Sequence, residues 1–253
     1  MFAEDEARLL LAQAAGEELE TLVDRRVAGE PLEHVLGWVA FDGLRLAVAP
    51  GVFVPRRRTE LMVAEAARRA EHRPDPVVVD LCCGCGAVGV AVLHRLGRGT
   101  LLASDVDPVA VRCAARNVAL VGGRAFVGDL FEGLPSELQG RVDVLTANVP
   151  YVPTAAIGSM PPEARDHEPH VALDGGADGL AVLARLAASA ARWLVPGGAV
   201  LVEVGDAQVP EAERLLAAGS LTPEVVTDED LGATVMVGSK RVGTAPRGTE
   251  SGM

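Results

Sequence analysis

Val77-Val78-Val79-Asp80-Leu81-Cys82-Cys83-Gly84-Cys85-Gly86-Ala87-Val88-Gly89 is a short apolar run, a glycine loop and the start of a helical pattern over Ala87–Leu96. A run of valines without polar alternation reads as a strand buried on both faces. Such strands belong to parallel sheets covered by helices. The glycines, spaced Gly84-x-Gly86-x-x-Gly89, permit a tight strand-to-helix turn and let a ligand come close to the backbone.

The pattern repeats towards the carboxyl end. Leu101–Ser104 reads as a strand, 109–120 as a helix, and Ala125–Val127 and Val142–Thr146 as strands. Leu180–Trp193 is helical, Pro196-Gly197-Gly198 a turn, Ala199–Val204 a strand and Pro210–Ala218 a helix. Alternation of this kind predicts an α/β fold with a mostly parallel sheet. Val225–Thr227 and Thr234–Val237 lack a long helix between them, so they are expected to close the sheet as an antiparallel hairpin.

Ahead of the glycine loop, 4–28 has helical spacing, with Gly16 a point where it can divide. Asp42-Gly43 stands between alternating apolar residues from Gly37 to Pro55, a strong hairpin signal. Thr59 is placed as the N-cap of a helix over 60–71. The expected organisation is a helical segment at 1–36, a hairpin and linking helix at 37–73, a main domain at 74–240 and a disordered tail at 241–253.

Composition narrows the function. The net charge of −12 argues against long nucleic acid as the main partner, because non-specific affinity for phosphates comes from Lys and Arg. Arg56-Arg57-Arg58 is the one dense basic run. No apolar run reaches membrane-spanning length, and the acidic start lacks a signal-peptide layout, so a cytoplasmic location is expected. Three of the four cysteines crowd into the loop at Cys82, Cys83 and Cys85, without histidine and without zinc-like spacing. They read as small side chains beside a tight turn, and no metal is assigned. His167 and His170 read as loop residues.

Two stretches carry chemistry. In the first, Asp80 precedes the glycines, and Asp105 ends the next strand, where an acid can accept both hydroxyls of a ribose. These features alone fit a nicotinamide dinucleotide and S-adenosylmethionine equally. A carboxylate at Asp80 suits a cationic ligand and sits poorly beside a pyrophosphate, and the antiparallel end of the sheet points the same way. Asp129 and Leu130 follow the third strand, where one can accept from an adenine amine and the other pack on its ring.

The second stretch is Leu145-Thr146-Ala147-Asn148-Val149-Pro150-Tyr151-Val152-Pro153, at the end of an apolar strand. Asn148 brings an amide that donates and accepts. The carbonyl of Val149 is held by the ring of Pro150, and Tyr151 adds an aromatic wall. That set suits gripping a planar amide or an amino-substituted base.

Gly29-Glu30-Pro31-Leu32, Gly37, Phe41, Gly43, Pro50-Gly51-Val52, Val54-Pro55-Arg56 with Thr59-Glu60, the Asp80 glycine loop, Asn148-x-Pro150-Tyr151, Glu168-Pro169, Leu173-Asp174-Gly175-Gly176 with Asp178-Gly179, and Glu203-x-Gly205 occur in that order. Together they resemble the protein-(glutamine-N5) methyltransferases of peptide-chain release factors (the PrmC/HemK family). The resemblance implies a class I S-adenosylmethionine-dependent methyltransferase, Rossmann-like, with a seven-stranded sheet whose last strand is antiparallel. It implies that Cys82, Cys83, Gly84, Cys85 and Gly86 hold the cofactor, Asp105 its ribose and Leu130 its adenine. Asn148, Val149, Pro150 and Tyr151 would hold the target glutamine, and Arg56 and Thr59 would lie on the acceptor side. The chain departs from the family pattern at Val149, where a proline is usual, and at Arg57 and Arg58, where a proline and an acid are usual. Its helical amino-terminal region is also shorter. The alternative acceptors are an exocyclic amine of a nucleic-acid base and a small molecule.

Overall fold

The computed structural model describes residues 3–242. Its amino end is three short helices, α1 (Ala3–Gln13), α2 (Glu17–Val27) and α3 (Leu32–Leu36). Gly16 stands at φ 60° and divides the helical stretch expected over 4–28. The apolar sides of the three helices meet at Leu10, Leu32, Val35 and Leu36. The hairpin follows as β1 (Trp38–Phe41) and β2 (Leu44–Ala47), turning through Asp42 and Gly43, both at positive φ. That backbone matches the right-handed twist of an antiparallel pair.

A 3-10 turn at Arg57–Thr59 leads into α4 (Glu60–Ala70). Thr59 is not the N-cap that the sequence suggests. Its backbone is already helical and its side chain makes no cap bond, because a buried carboxylate claims the hydroxyl.

The main sheet comprises β3 (Val77–Leu81), β4 (Thr100–Asp105), β5 (Arg124–Val127), β6 (Val142–Ala147), β7 (Leu194–Glu203), β8 (Leu221–Asp228) and β9 (Ala233–Lys240). The spatial order is β5-β4-β3-β6-β7-β9-β8. The first five strands of that order run parallel, and β9 is antiparallel to both of its neighbours. Pro196-Gly197-Gly198 lies inside β7. The pairing with β6 jumps there from Val142↔Leu194 to Val144↔Ala199.

The remaining helices are α5 (Ala87–Leu96), α6 (Pro108–Val118), α7 (Pro162–His167), α8 (His170–Leu173), α9 (Ala181–Trp193) and α10 (Val209–Ala218). His167 ends α7 and His170 begins α8, so neither is the loop residue expected. Successive strand residues feed opposite faces, as the two-residue repeat of a strand requires. Val78 joins a core with α4, α5, α6 and the hairpin. Val79 joins another with α9 and α10.

Strand order reverses at β3, whose neighbours are β4 on one side and β6 on the other. In an open α/β sheet, such a switch point leaves a crevice at the carboxyl ends of the strands. Among the described residues no helix is long and apolar enough to cross a membrane, and no group of three or more His, Cys, Asp or Glu residues is placed to hold a metal ion. Residues 243–253, most of the tail expected to be disordered, lie outside the described residues.

Candidate active site

A cleft of ≈ 330 Å3 opens where β3, β4 and β6 end. Asp80, Cys82, Cys83, Gly84, Cys85, Asp105, Asp129 and Leu130 line one part of it. Arg56, Thr59 and the whole turn from Asn148 to Tyr151 line the other. The two stretches singled out in the sequence therefore share one cavity. Gly86 is not in its lining; it stands behind the loop at φ 78°, as the N-cap of α5.

The glycine loop is held from within. Asp80, only 1% exposed, accepts the Gly89 amide at 3.0 Å and the Thr146 hydroxyl at 2.9 Å. Burial pushes its carboxyl up to about 7. A side chain at 89 would run into Leu101 (2.6 Å) and the Asp80 side chain (3.0 Å), so the third glycine is needed for close packing. Asp105 accepts the Gly84 amide at 2.9 Å with one oxygen and the Asp107 amide at 2.9 Å with the other. Burial raises its carboxyl above the ordinary range. Each oxygen has a second lone pair left for a ligand hydroxyl. Asp129 pairs with Arg185 at 2.8 Å. Cys82 and Leu130, both lining the cleft, stand at φ 50° and 52°. Non-glycine residues held there store backbone strain, which gathers at ligand sites. Cys83 and Cys85 are buried, and burial pushes their thiols well up.

These details test which cofactor fits. A pyrophosphate would use the free amides at the start of α5. Here Asp80 already occupies the Gly89 amide and sets a carboxylate behind the loop. The donor set suits a ligand with a cationic centre and a ribose diol.

On the acceptor side, the side chain of Val149 is 1% exposed and packs into the core beneath the sheet. Asn148 is half-buried in the cleft wall, and among the described residues its amide has no protein hydrogen-bond partner. The turn is braced from outside. The Val152 amide donates to the Leu173 carbonyl (3.1 Å), the Gly175 amide to the Val152 carbonyl (2.9 Å), and Gln208 to the Tyr151 carbonyl (3.0 Å).

Two buried acids frame this end. Glu168 takes Arg56 at 2.6 Å and the Val54 amide at 3.2 Å. Glu203, 2% exposed, takes Arg58 at 2.7 Å, the Thr59 hydroxyl at 2.7 Å and the Tyr151 hydroxyl at 3.2 Å. Arg58 also donates to the Tyr151 hydroxyl. Sequence reasoning placed Arg56 on the acceptor side, left Arg57 and Arg58 without a job and gave Glu203 none beyond its place in the pattern. The available signal was an acid closing an otherwise apolar strand, which must find a cation when buried.

The fold and the cleft define a class I S-adenosylmethionine-dependent methyltransferase. The family model for the methyltransferase small domain matches residues 44–159. A release factor glutamine methyltransferase of Geobacter sulfurreducens is 39% identical over 203 residues, 79% of this chain and 69% of that protein. The chain belongs to the release factor glutamine methyltransferase family. A 4-amino-L-phenylalanine/4-methylamino-L-phenylalanine methyltransferase of Streptomyces pristinaespiralis is 36% identical over 201 residues, 78% of this chain and 68% of that protein. Among solved structures, a methyltransferase from Pyrococcus furiosus shares the fold, with a TM-score of 0.58 at 15% identity, over 88% of this chain and 96% of that one.

Proposed function

We propose that the protein methylates the side-chain amide nitrogen of a glutamine in another protein, the Gly-Gly-Gln glutamine of a peptide-chain release factor, in the cytoplasm. The observation that carries this reading is the unpaired Asn148 amide, which stands in the same cleft as the cofactor loop. S-adenosylmethionine, when bound, supplies a methyl group on a positively charged sulfur. Cys82 to Cys85, Asp105 and Leu130 would hold it, with Asp80 as the buried carboxylate behind the loop.

An amide nitrogen is a poor nucleophile because its lone pair is delocalised into the carbonyl. The Asn148 side-chain oxygen and the Val149 carbonyl each accept one amide hydrogen in this reading. Two fixed acceptors orient the nitrogen, favour its pyramidal form and stabilise the positive charge that grows on it. Holding it in line for attack supplies the rest. No general base is assigned: Asp80, Asp105, Asp107 and Asp129 have hydrogen-bond partners, Glu168 is held by Arg56 through one oxygen while its Oε2 has none, and the methylated nitrogen gives up its extra proton to water.

The charges at the acceptor end cancel in pairs, Arg56 with Glu168 and Arg58 with Glu203. A wall without net charge favours an uncharged, planar nitrogen. That property also supports a second reading, transfer to an aromatic amine of a small molecule, as named for the Streptomyces relative. The net charge of −12 weighs against a base in nucleic acid.

The test is incubation with isotopically labelled S-adenosylmethionine and either a release factor or free 4-aminophenylalanine, with the methyl located by mass spectrometry. Label on the Gly-Gly-Gln glutamine is the expected result. Label on the amino acid alone moves the assignment to the second reading. Label on neither, with cofactor binding intact, overturns both.

A further inference from the structure

The Tyr151 hydroxyl is the point where three separate segments meet. Arg58 comes from the 3-10 turn before α4, Tyr151 from the turn after β6, and Glu203 from the end of β7. Tyr151 donates its only hydroxyl hydrogen to Glu203 at 3.2 Å and accepts from Arg58. The Arg58 guanidinium lies 5.9 Å from the centroid of the same ring. Glu203 is closed off on its other oxygen by Thr59 at 2.7 Å. The hydroxyl therefore has no hydrogen left for an acceptor molecule.

We propose that Arg58 is a positioning residue for methyl transfer, which with Glu203 locks the Tyr151 ring as a fixed aromatic surface that offers the acceptor no hydrogen-bond donor. The proposal rests on the reading of Asn148 to Tyr151 as the acceptor grip. A ring tied through its hydroxyl to two other elements cannot rotate away from the turn that carries Asn148. A planar nitrogen held by the Asn148 and Val149 oxygens then meets a surface of constant tilt. An acceptor that needs a hydroxyl donor at this wall is refused. The lock pairs a buried carboxylate with a partly exposed guanidinium, and its worth is geometric: replacing both charges together costs stability little, whereas removing the cation alone leaves the buried Glu203 charge unpaired.

That asymmetry shapes the test. Arg58→Met alone strands Glu203, so the informative variant is Arg58→Met with Glu203→Gln, which removes both charges. Cofactor dissociation constants should stay within about twofold of the parent, while kcat falls by roughly tenfold to a hundredfold, the scale of a misplaced reacting group. Tyr151→Phe keeps the ring and deletes the hydroxyl. In that background the Arg58/Glu203 pair change should cost less than about twofold further, since coupled positions are not additive. Losses that multiply across the two backgrounds overturn the proposal, as does a pair variant with unchanged kcat.

A second readout does not depend on any acceptor. Tyr151 is the chain's one tyrosine, so an ultraviolet titration of phenolate reads it alone. Burial and the Glu203 charge push this phenol up to about 12. The wild type should show no phenolate through pH 10, and Glu203→Gln with Arg58 retained should ionise at lower pH. A wild-type phenol that titrates like free tyrosine removes the lock. A shifted titration in an enzyme that methylates neither acceptor counts against the functional reading above and still supports the lock.

Discussion

Asp80 and Gly89 are joined across the cofactor turn: the carboxylate at the end of β3 accepts the third amide of α5 at 3.0 Å. The bond fastens strand to helix and holds a titratable carboxyl behind the ligand loop. Its carboxyl stands at about 7 in the folded chain, above the 3.8 of an exposed aspartate. A raised carboxyl contributes stability that is full below the unfolded value and is lost as pH climbs through the folded one. Asp80→Asn can keep both hydrogen bonds and cannot titrate. The melting-temperature advantage of wild type over this variant should therefore shrink between about pH 4 and 7. Cofactor affinity at pH 8 should fall roughly tenfold, about 1.4 kcal/mol. Calorimetric melting across that range, with titration of the cofactor, checks both.

Asn117 predicts a coupled loss. It is 2% exposed, accepts the Ala47 amide at 2.9 Å and donates to the Ala47 and Cys85 carbonyls at 2.8 Å each. One side chain thus ties the hairpin and the cofactor loop to α6. Asn117→Ala strands the Ala47 amide and the Cys85 carbonyl and leaves the Ala47 carbonyl only the weak Cys113 thiol donor, at about 1–3 kcal/mol for each group stranded. Denaturant unfolding should show a loss on the order of 3 kcal/mol, and cofactor affinity should fall with it.

The sheet, the order of its longer helices and both halves of the cleft were legible in the sequence, because each rests on a local pattern. Valine runs mark buried strands, and the glycine spacing around Gly86 marks the turn into α5. Asn148 and Asp105 fall at strand ends, which is where the crevice opens. What the sequence did not display is long-range. Thr59 looks like a helix cap because a threonine before a helical run usually is one. Only the approach of Glu203, 144 residues away, turns its hydroxyl inward. Asp129 looks free until α9 brings Arg185 against it. The short helices α7 and α8 have too few residues to show a period. The motif from Leu173 to Gly179 has its physical reason in the parallel bridge that sets Asp174 beside Val152.

Gly179 supplies that reason most sharply. It stands at φ 78°, and a Cβ there would overlap the Tyr151 carbonyl oxygen. Gly179→Ala must push the acceptor turn out of place, while the glycine loop at Cys82–Gly86 lies on other strands. Turnover should drop by roughly a hundredfold, as expected for a displacement near 1 Å, with the cofactor dissociation constant changed by less than about twofold. Equal losses in both would show that the two halves of the cleft are not independent.

Asn148 sets the strongest expectation. Among the described residues its amide has no protein partner, in a cleft wall where Arg56 is paired with Glu168 and Arg58 with Glu203. A polar group held in that state is free to act on a ligand. Deleting it removes one of two acceptors that strengthen as charge grows on the nitrogen, an effect worth about 2.7–4 kcal/mol in comparable preorganised sites. Asn148→Ala should therefore lower kcat by roughly a hundredfold to a thousandfold and leave cofactor affinity nearly unchanged. Asn148→Asp keeps an oxygen in place, and adds a charge that favours the cationic transition state and disfavours release of the product. Single-turnover and steady-state rates should diverge in that variant, the first exceeding the second. An alanine variant with full activity would remove Asn148 from the reaction, and would leave the Val149 carbonyl as the acceptor to examine.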